Sequence, residues 1–493
     1  MTDKKNKNLI SNFISYFYGN FAVIILGFIS TPIITRCIQT EEFGKGTLFY
    51  TAVTIINIFA VMGLDQSYIR YYYKQGVNTR VLMRQCIVPP LIISMIFACS
   101  YWIGAETFNG ILFGKDDLDV RWLIIIYFFS AIIERFMMLN IRMRQKGNLY
   151  SLFCILNKVL YVAIILIAFY FIGDDYRVVV YAYTLSLGIV ALLMILWYLW
   201  VTNKEAENIQ KTHQIHFPEL LHYGIPFILM LLVNWAMTST DKVMIKYFGD
   251  YSEVGIYSAA LSIVSILINV KIAFATFWVP VALEKYEKED DKTCHAFFRN
   301  IFSKVQLLCF FAVIMLILFR KIIILFLGSS YREAIIVLPC LAIMPAFDIM
   351  FEITSQGLNF KQQVRYYNIS SVIVLFGNII GNLILIPRYN ILGAAIATGF
   401  SYIIYFVSGT LFSQKCYKVP YNFKSTYVYI PLLFIYAIIS SFTQNSIINI
   451  SGGLFCILVM FILDFRHIRD MWQGLINISK NMLHKTDSTK EQK

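Results

Sequence analysis

The chain has 493 residues, of which 58% are hydrophobic and only 14% charged. That balance excludes an ordinary soluble globular domain and fits a polytopic membrane protein. The net charge of +13 is that of basic loops on one side of a membrane, so no nucleic-acid partner is expected. The nine cysteines form no CxxC or Cys/His cluster, so a disulfide framework, a metal site and a cofactor are not expected.

In chain order, MTDKKNKN is a basic start. The apolar run after it, Leu9 to Thr35, is too long for a signal-peptide core and has no small-residue cleavage site. It reads as an uncleaved first helix that enters from the cytoplasm. Runs near the length of ~20 residues needed for a span then follow at 46–66, 86–105, 121–142, 150–172, 178–201, 220–247, 253–281, 300–319, 333–356, 368–386, 391–412, 426–444 and 447–466. The fold class expected is therefore an all-α membrane protein of about fourteen helices. With the N-terminus inside, roughly 29 Lys and Arg residues fall on the inner side and roughly 10 on the outer. That bias places both termini in the cytoplasm. Outer loops lean acidic, as in GKDDLD (114–119) and GDD (173–175).

EEFGKGTLFYTAV (41–53) resembles SEVGIYSAALSIV (252–264). Aligning Gly44 with Gly255 sets a repeat offset of about 211, and the helix rhythm follows it. An even number of helices separates the copies, so they share one membrane orientation and relate by an axis along the membrane normal. The organisation expected is a six-helix lobe over 1–202, an inner linker over 203–219, a second six-helix lobe over 220–412, two further helices over 426–466 and a cytoplasmic tail over 467–493. Within that tail Trp472, Leu475, Ile476 and Ile478 fall near one helical face among basic residues, a pattern that suits a helix lying on the anionic inner leaflet.

Charges inside spans are costly, so each is a candidate functional group. Asn234, Thr238, Lys242 and Lys246 recur every four residues on one face of the seventh span, with Asp241 beside them. Two readings fit: a cavity-lining cationic strip, or lysines that snorkel outward while Asp241 pairs locally. The eighth span carries Ser258, Ser262, Ser265 and Asn269 on one face, a stripe suited to close helix packing, and Lys271 on the opposite one. Asp348 and Glu352 lie one turn apart on the tenth span. They can pair with Lys271 or hold a coupling proton or cation. Glu134, Arg135 and Lys158 complete the set, and snorkelling from inner helix ends fits them best. Under the repeat offset Lys242 corresponds to Thr31, Lys271 to Ala60 and Asp348 to Met137. The deep charges are not duplicated, which assigns much of the polar recognition to the second half.

TDKVMIKYFGDYSEVGIYSAA (240–260) and EEFGKGTLFY…GLDQSYIRYYYK (41–74) resemble the corresponding segments of Wzx-type polysaccharide transporters, the O-antigen and capsule repeat-unit flippases of the multidrug/oligosaccharidyl-lipid/polysaccharide exporter superfamily. The resemblance implies a MATE-like fold of two bundles around a central cavity and alternating access. The implied cargo is an oligosaccharide on undecaprenyl pyrophosphate, moved from the inner to the outer leaflet of the bacterial plasma membrane. Membrane lipids, and a polysaccharide polymerase with other assembly proteins, are the implied partners. Residues 9–35 contain no Asp or Glu and no basic residue before Arg36. That counts against a multidrug antiporter with a first-helix carboxylate, and it weakens the likeness to lipid II flippases, which carry a basic cluster within the N-terminal lobe core. A cation-coupled drug exporter would need a carboxylate-lined cavity free of bases. A membrane-bound polymerase would need a large catalytic loop. No nucleotide, zinc or Ser-His-Asp motif is present, so the chain reads as a transporter and not an enzyme.

Overall fold

In hydrocarbon every backbone N–H and C=O must find a partner within its own segment, so long apolar runs fold as helices. The computed structural model describes residues 22–204 and 215–490, and no strand occurs among them. The helices are α1 (Ala22–Cys37), α2 (Thr40–Val61), the short α3 (Leu64–Tyr71), α4 (Thr79–Phe113), α5 (Leu118–Met143), α6 (Gly147–Ile172), α7 (Tyr176–Lys204), α8 (Phe217–Phe248) and α9 (Tyr251–Lys288). They continue as α10 (Asp291–Leu318), α11 (Arg320–Leu325), α12 (Ala334–Leu341), α13 (Ile343–Thr354), α14 (Gln356–Phe360), α15 (Val364–Cys416), α16 (Lys424–Phe442) and α17 (Ser446–Lys490). Among the described residues twelve helical stretches are long and apolar enough to cross a membrane, and α1 is a shorter apolar one.

Each expected span falls on a helix. Two spans expected as neighbours, 368–386 and 391–412, form the two arms of α15, which is broken at Asn390 (φ 49°, ψ −131°). The span expected over 46–66 stops at Val61. Left-handed Met62 (φ 52°) and Gly63 (φ 69°) end it, and α3 begins a separate short helix. The span expected over 333–356 is divided among α12 and α13. Pro345 has no N–H to donate to the Leu341 carbonyl, and the helix is interrupted there. Residues 9–21 of the first span and most of the 203–219 linker lie outside the described residues. So do the tail side chains Trp472, Leu475, Ile476 and Ile478, although the α17 backbone stays helical through Lys490.

Local chemistry sets the ends that matter for the site. The Asn78 side chain accepts from the N–H groups of Arg80 and Val81 and so starts α4. Asp290 does the same for α10 with Lys292 and Thr293. Large apolar side chains point outward along the spans, among them Ile92, Ile96 and Ile103 on α4 and Val159, Leu166 and Ile167 on α6. In water such a surface would be an aggregation patch, whereas in a bilayer it is the lipid contact.

The described residues divide into two compact units. One falls within Met1–Asn269 with Leu325–Ala334 and Asn382–Ile391, the other within Val270–Ile324, Ile335–Gly381 and Leu392–Lys493. In the first unit α5 and α6 pack on α7, and α2 packs on α4, α7 and α8. Here also, residues one repeat apart meet. A Cβ on Gly44 would sit 1.8 Å from the Tyr251 carbonyl oxygen, and one on Gly255 would sit 1.9 Å from that of Thr40. The hydroxyls of Ser258 and Thr47 lie 3.2 Å apart beside them. Only glycine allows two backbones so close. In the second unit α10 packs on α13, α16 and α17. The two arms of α15 approach each other where a Cβ on Gly381 would lie 3.0 Å from Ala397 Cβ.

Candidate functional site

The first unit contains a half-open cavity of about 760 Å³, within the size range of small-molecule sites. Its wall is built by α1, α2 and α5 to α9. Apolar spans would leave such a space greasy, but this one is lined by Glu134 and Arg135 of α5, Asn157 and Lys158 of α6, and Asn234, Trp235 and Thr238 of α8. Glu134 and Lys158 each form no hydrogen bond or ion pair with any described residue. The Lys158 ammonium lies 5.1 Å from the centre of the Tyr161 ring. A charge inside a span with no hydrogen bond or ion pair among the described residues is available to what enters the cavity.

Arg135 differs from these two. Its Nε and Nη2 both donate to Asp65 Oδ2, at 3.0 and 2.5 Å. Asp65 is 2% exposed and comes from α3, the helix that follows the Met62–Gly63 break. The break therefore places the counter-ion that holds Arg135 against the cavity wall.

A second part of the wall is aromatic. Tyr50 and Tyr183 stack with ring centres 4.9 Å apart, and Tyr161 lies 4.8 Å from Tyr183. All three line the cavity. Trp235 is fixed by donating Nε1–H to the Thr51 carbonyl at 3.1 Å and to Thr54 Oγ1 at 3.2 Å. The result is a set of rigid ring faces next to a cation, an unpaired carboxylate and several amides. Such a surface can stack on sugar rings, bond their hydroxyls and pair with a phosphate.

The polar stripe of α8 is split. Asn234 and Thr238 reach the cavity, and Thr238 Oγ1 also donates to the Asn234 carbonyl at 3.1 Å. Lys242 is half-buried outside the lining of this cavity, and Lys246 covers the Tyr251 ring at 3.6 Å. Asp241 is 3% exposed and also lies outside the lining. Its carboxylate accepts from the Tyr257 hydroxyl at 2.5 Å and from Asn382 Nδ2 at 2.7 Å, all within the first unit. On α9, Ser258 joins the helix contact at Thr47, while Ser262 reaches the cavity.

The remaining deep charges belong to the second unit. Lys271 Nζ lies 3.5 Å from Asp348 Oδ1 and 3.4 Å from Glu352 Oε2. The three side chains are 15–21% exposed. One turn of α13 thus sets two carboxylates side by side, and a single ammonium from α9 answers both.

The cavity draws its ionisable groups from α5 and α6, whereas the unduplicated charges of the sequence had drawn attention to the second half. Asp65 lies at the end of the 46–66 run, and nothing in the sequence points to its partner seventy residues away.

The comparisons with known proteins agree with this fold. An uncharacterized membrane protein of Methanocaldococcus jannaschii is 24% identical over 88% of this chain and 91% of its own length. The probable low-salt glycan biosynthesis flippase of Haloferax volcanii is 21% identical over 80% of this chain and 82% of its own. Among solved structures, the lipid II flippase MurJ in an inward closed conformation matches with a TM-score of 0.67 at 16% identity, over 94% of this chain and all of that one. An inward-facing MATE family transporter of the MOP superfamily matches with a TM-score of 0.63, also at 16% identity, over 82% of this chain and 97% of that one. The family model described as polysaccharide biosynthesis protein matches residues 9–285, more than half of the sequence. With that match, the chain belongs to the polysaccharide biosynthesis protein family, and its fold is that of the two transporters named above.

Proposed function

We propose that the protein moves an oligosaccharide repeat unit linked to undecaprenyl pyrophosphate from the inner to the outer leaflet of the plasma membrane, for capsule or O-antigen synthesis. One observation carries the reading: a cavity among apolar helices that offers tyrosine faces, amides and the cations Arg135 and Lys158. Sugar rings meet the first two, and the pyrophosphate meets the cations. The glycan flippase of Haloferax volcanii supports the cargo class. The lobes over 1–202 and 220–412 act as the two moving bodies of alternating access, with both termini cytoplasmic. Cavity lining from α1 to α9 is the primary recognition surface, and Asn234 and Thr238 are its contribution from α8. The partners are membrane lipids and the polymerase and assembly proteins that receive the cargo.

The unpaired Glu134 carboxylate is the observation that favours a second reading, a cation-coupled drug exporter. Arg135 and Lys158 in the same wall favour the anionic cargo instead. Complementation of a flippase-null strain with lipid analysis separates them. Export restored by the protein, with undecaprenyl-linked repeat units accumulating when it is lost, is the expected result. Unchanged glycolipids together with altered drug efflux would overturn the assignment.

A further inference from the structure

The second unit contains a separate pocket of about 560 Å³, lined by Arg299, Asn300 and Ser303 of α10, Tyr421 and Asn422 of the α15–α16 loop, and His467 of α17. All three segments lie at the ends of membrane-length helices: α10 begins at Asp291, the α15–α16 loop joins Cys416 to Lys424, and the apolar part of α17 runs to Asp470. The pocket therefore opens at a membrane–water boundary, on the side richest in lysine and arginine.

Its chemistry is that of an anion site. The Arg299 guanidinium makes no ion pair or hydrogen bond with any described residue, so its planar set of donors is available. No carboxylate lines the pocket. Asp464, three residues before His467, is 4% exposed and already occupied. One of its oxygens accepts from the Tyr429 hydroxyl at 2.7 Å, and the other lies 3.1 Å from His467 Nδ1. Asp464 is also the residue at which α17 leaves helical geometry (φ −123°, ψ 29°). The break and the Tyr429–Asp464–His467 chain hold the imidazole by Nδ1, and the residue lines the pocket. Asp291 accepts from the Tyr417 hydroxyl at 3.1 Å, and Asp470 lies outside the lining. Close in sequence to the lining residues, Lys418, Lys424, Arg466 and Arg469 are exposed.

The same place has an apolar side. Phe302, Tyr421 and Phe423 form a ring cluster with centres 5.0–5.6 Å apart. One turn before His467, Phe461, Ile462 and Phe465 are exposed on α17. Cations set above an apolar, aromatic surface match a lipid with its headgroup at the interface and its chains alongside the helix. Basic pockets of this kind between membrane helices bind acidic lipid headgroups.

We infer that this pocket binds the phosphate headgroup of an anionic membrane phospholipid, with Arg299 as the principal contact and His467 as a second donor. The inference does not depend on the cargo. It concerns a different unit and a different set of residues. Nor does it require that the protein transport anything in the test.

The test is native mass spectrometry of the full chain, delipidated in detergent and titrated with phosphatidylglycerol or phosphatidylcholine. The expected result is preferential retention of phosphatidylglycerol. Arg299→Gln is expected to cut that retention about fivefold, the equivalent of about 1 kcal/mol for one cation facing an anionic lipid. Lys288→Gln, which removes an exposed cation elsewhere, is expected to leave it unchanged. Melting temperatures of both variants near wild type show that each is folded, and His467→Gln serves in place of a variant that is not. Equal retention of the two lipids would overturn the inference. So would a Lys288→Gln loss as large as that of Arg299→Gln. Full displacement of phosphatidylglycerol by millimolar inorganic phosphate would show a soluble-anion site and overturn the lipid assignment.

Discussion

Glu134 and Lys158 in the first unit, and Lys271, Asp348 and Glu352 in the second, are the same kinds of residue at similar depths in apolar helices, yet their surroundings oppose each other. The second set is closed on itself, two carboxylates answered by one ammonium at 3.4–3.5 Å. The first set faces a cavity and makes no hydrogen bond or ion pair among the described residues. A closed set contributes to holding helices together, because removing one member strands the others. An open set contributes nothing until something enters. Intramembrane charge by itself therefore does not mark a transport site. The state of its pairing does.

The largest effect expected from this contrast is at Lys271. Lys271→Met leaves two carboxylates one turn apart with no cation and is expected to cost about 3 kcal/mol, read as a lower melting temperature in detergent. Adding Asp348→Asn and Glu352→Gln to that variant should recover most of the loss. If Lys271→Met melts like wild type, the cluster is not structural and the contrast fails. Next is Asp65→Asn, which strands the Arg135 guanidinium and is expected to cost about 2 kcal/mol, reduced by the partial exposure of the arginine. Lys158→Met and Glu134→Gln should shift melting little. Lys158→Met should slow transport about tenfold, the equivalent of about 1.4 kcal/mol of lost cargo interaction. A large melting shift without a transport defect would place Lys158 with the closed set.

The smallest effect expected is outside the membrane. The Arg121 guanidinium holds the Asp116 carboxyl below its usual range. A carboxyl whose folded value is depressed contributes stability above its unfolded value of about 3.9 and loses it as pH falls through the lower folded value. Arg121→Gln should remove that acid-sensitive component, a small one for a pair at the protein surface. Melting curves of the two proteins should then converge at low pH and separate at neutral pH.

Much of the helix plan could be read directly, because a bilayer leaves apolar runs one choice of structure. The breaks at Met62–Gly63 and Asn390 were harder. Asn390 sits between two runs whose separation was visible, but Met62 is a good helix former whose left-handed conformation depends on its neighbours. Pairing was legible only in part. The spacing of Asp348 and Glu352 shows that they share a face and offers Lys271 as a partner, beside the alternative of a coupling ion. Asp65, at the end of the 46–66 run, shows no partner until α3 turns it toward α5. The cavity is still further from the sequence, since seven helices share its wall and no two of its ring-bearing residues are a helical turn apart. Tyr50, Tyr161 and Tyr183 meet only after folding.

The contact at Gly44 and Gly255 has a consequence for the origin of the chain. A segment that touches its own equivalent, Gly44 on Tyr251 and Gly255 on Thr40, has the geometry of an isologous interface, in which patch i meets j and j meets i. Such an interface belongs to two identical subunits about a dyad. Here it is enclosed in a single polypeptide, as a gene fusion of a half-length homodimer would leave it. The glycines are then a relic held by stereochemistry. While the halves diverged in charge, neither copy at the dyad was free to gain a side chain unless its counterpart gave way.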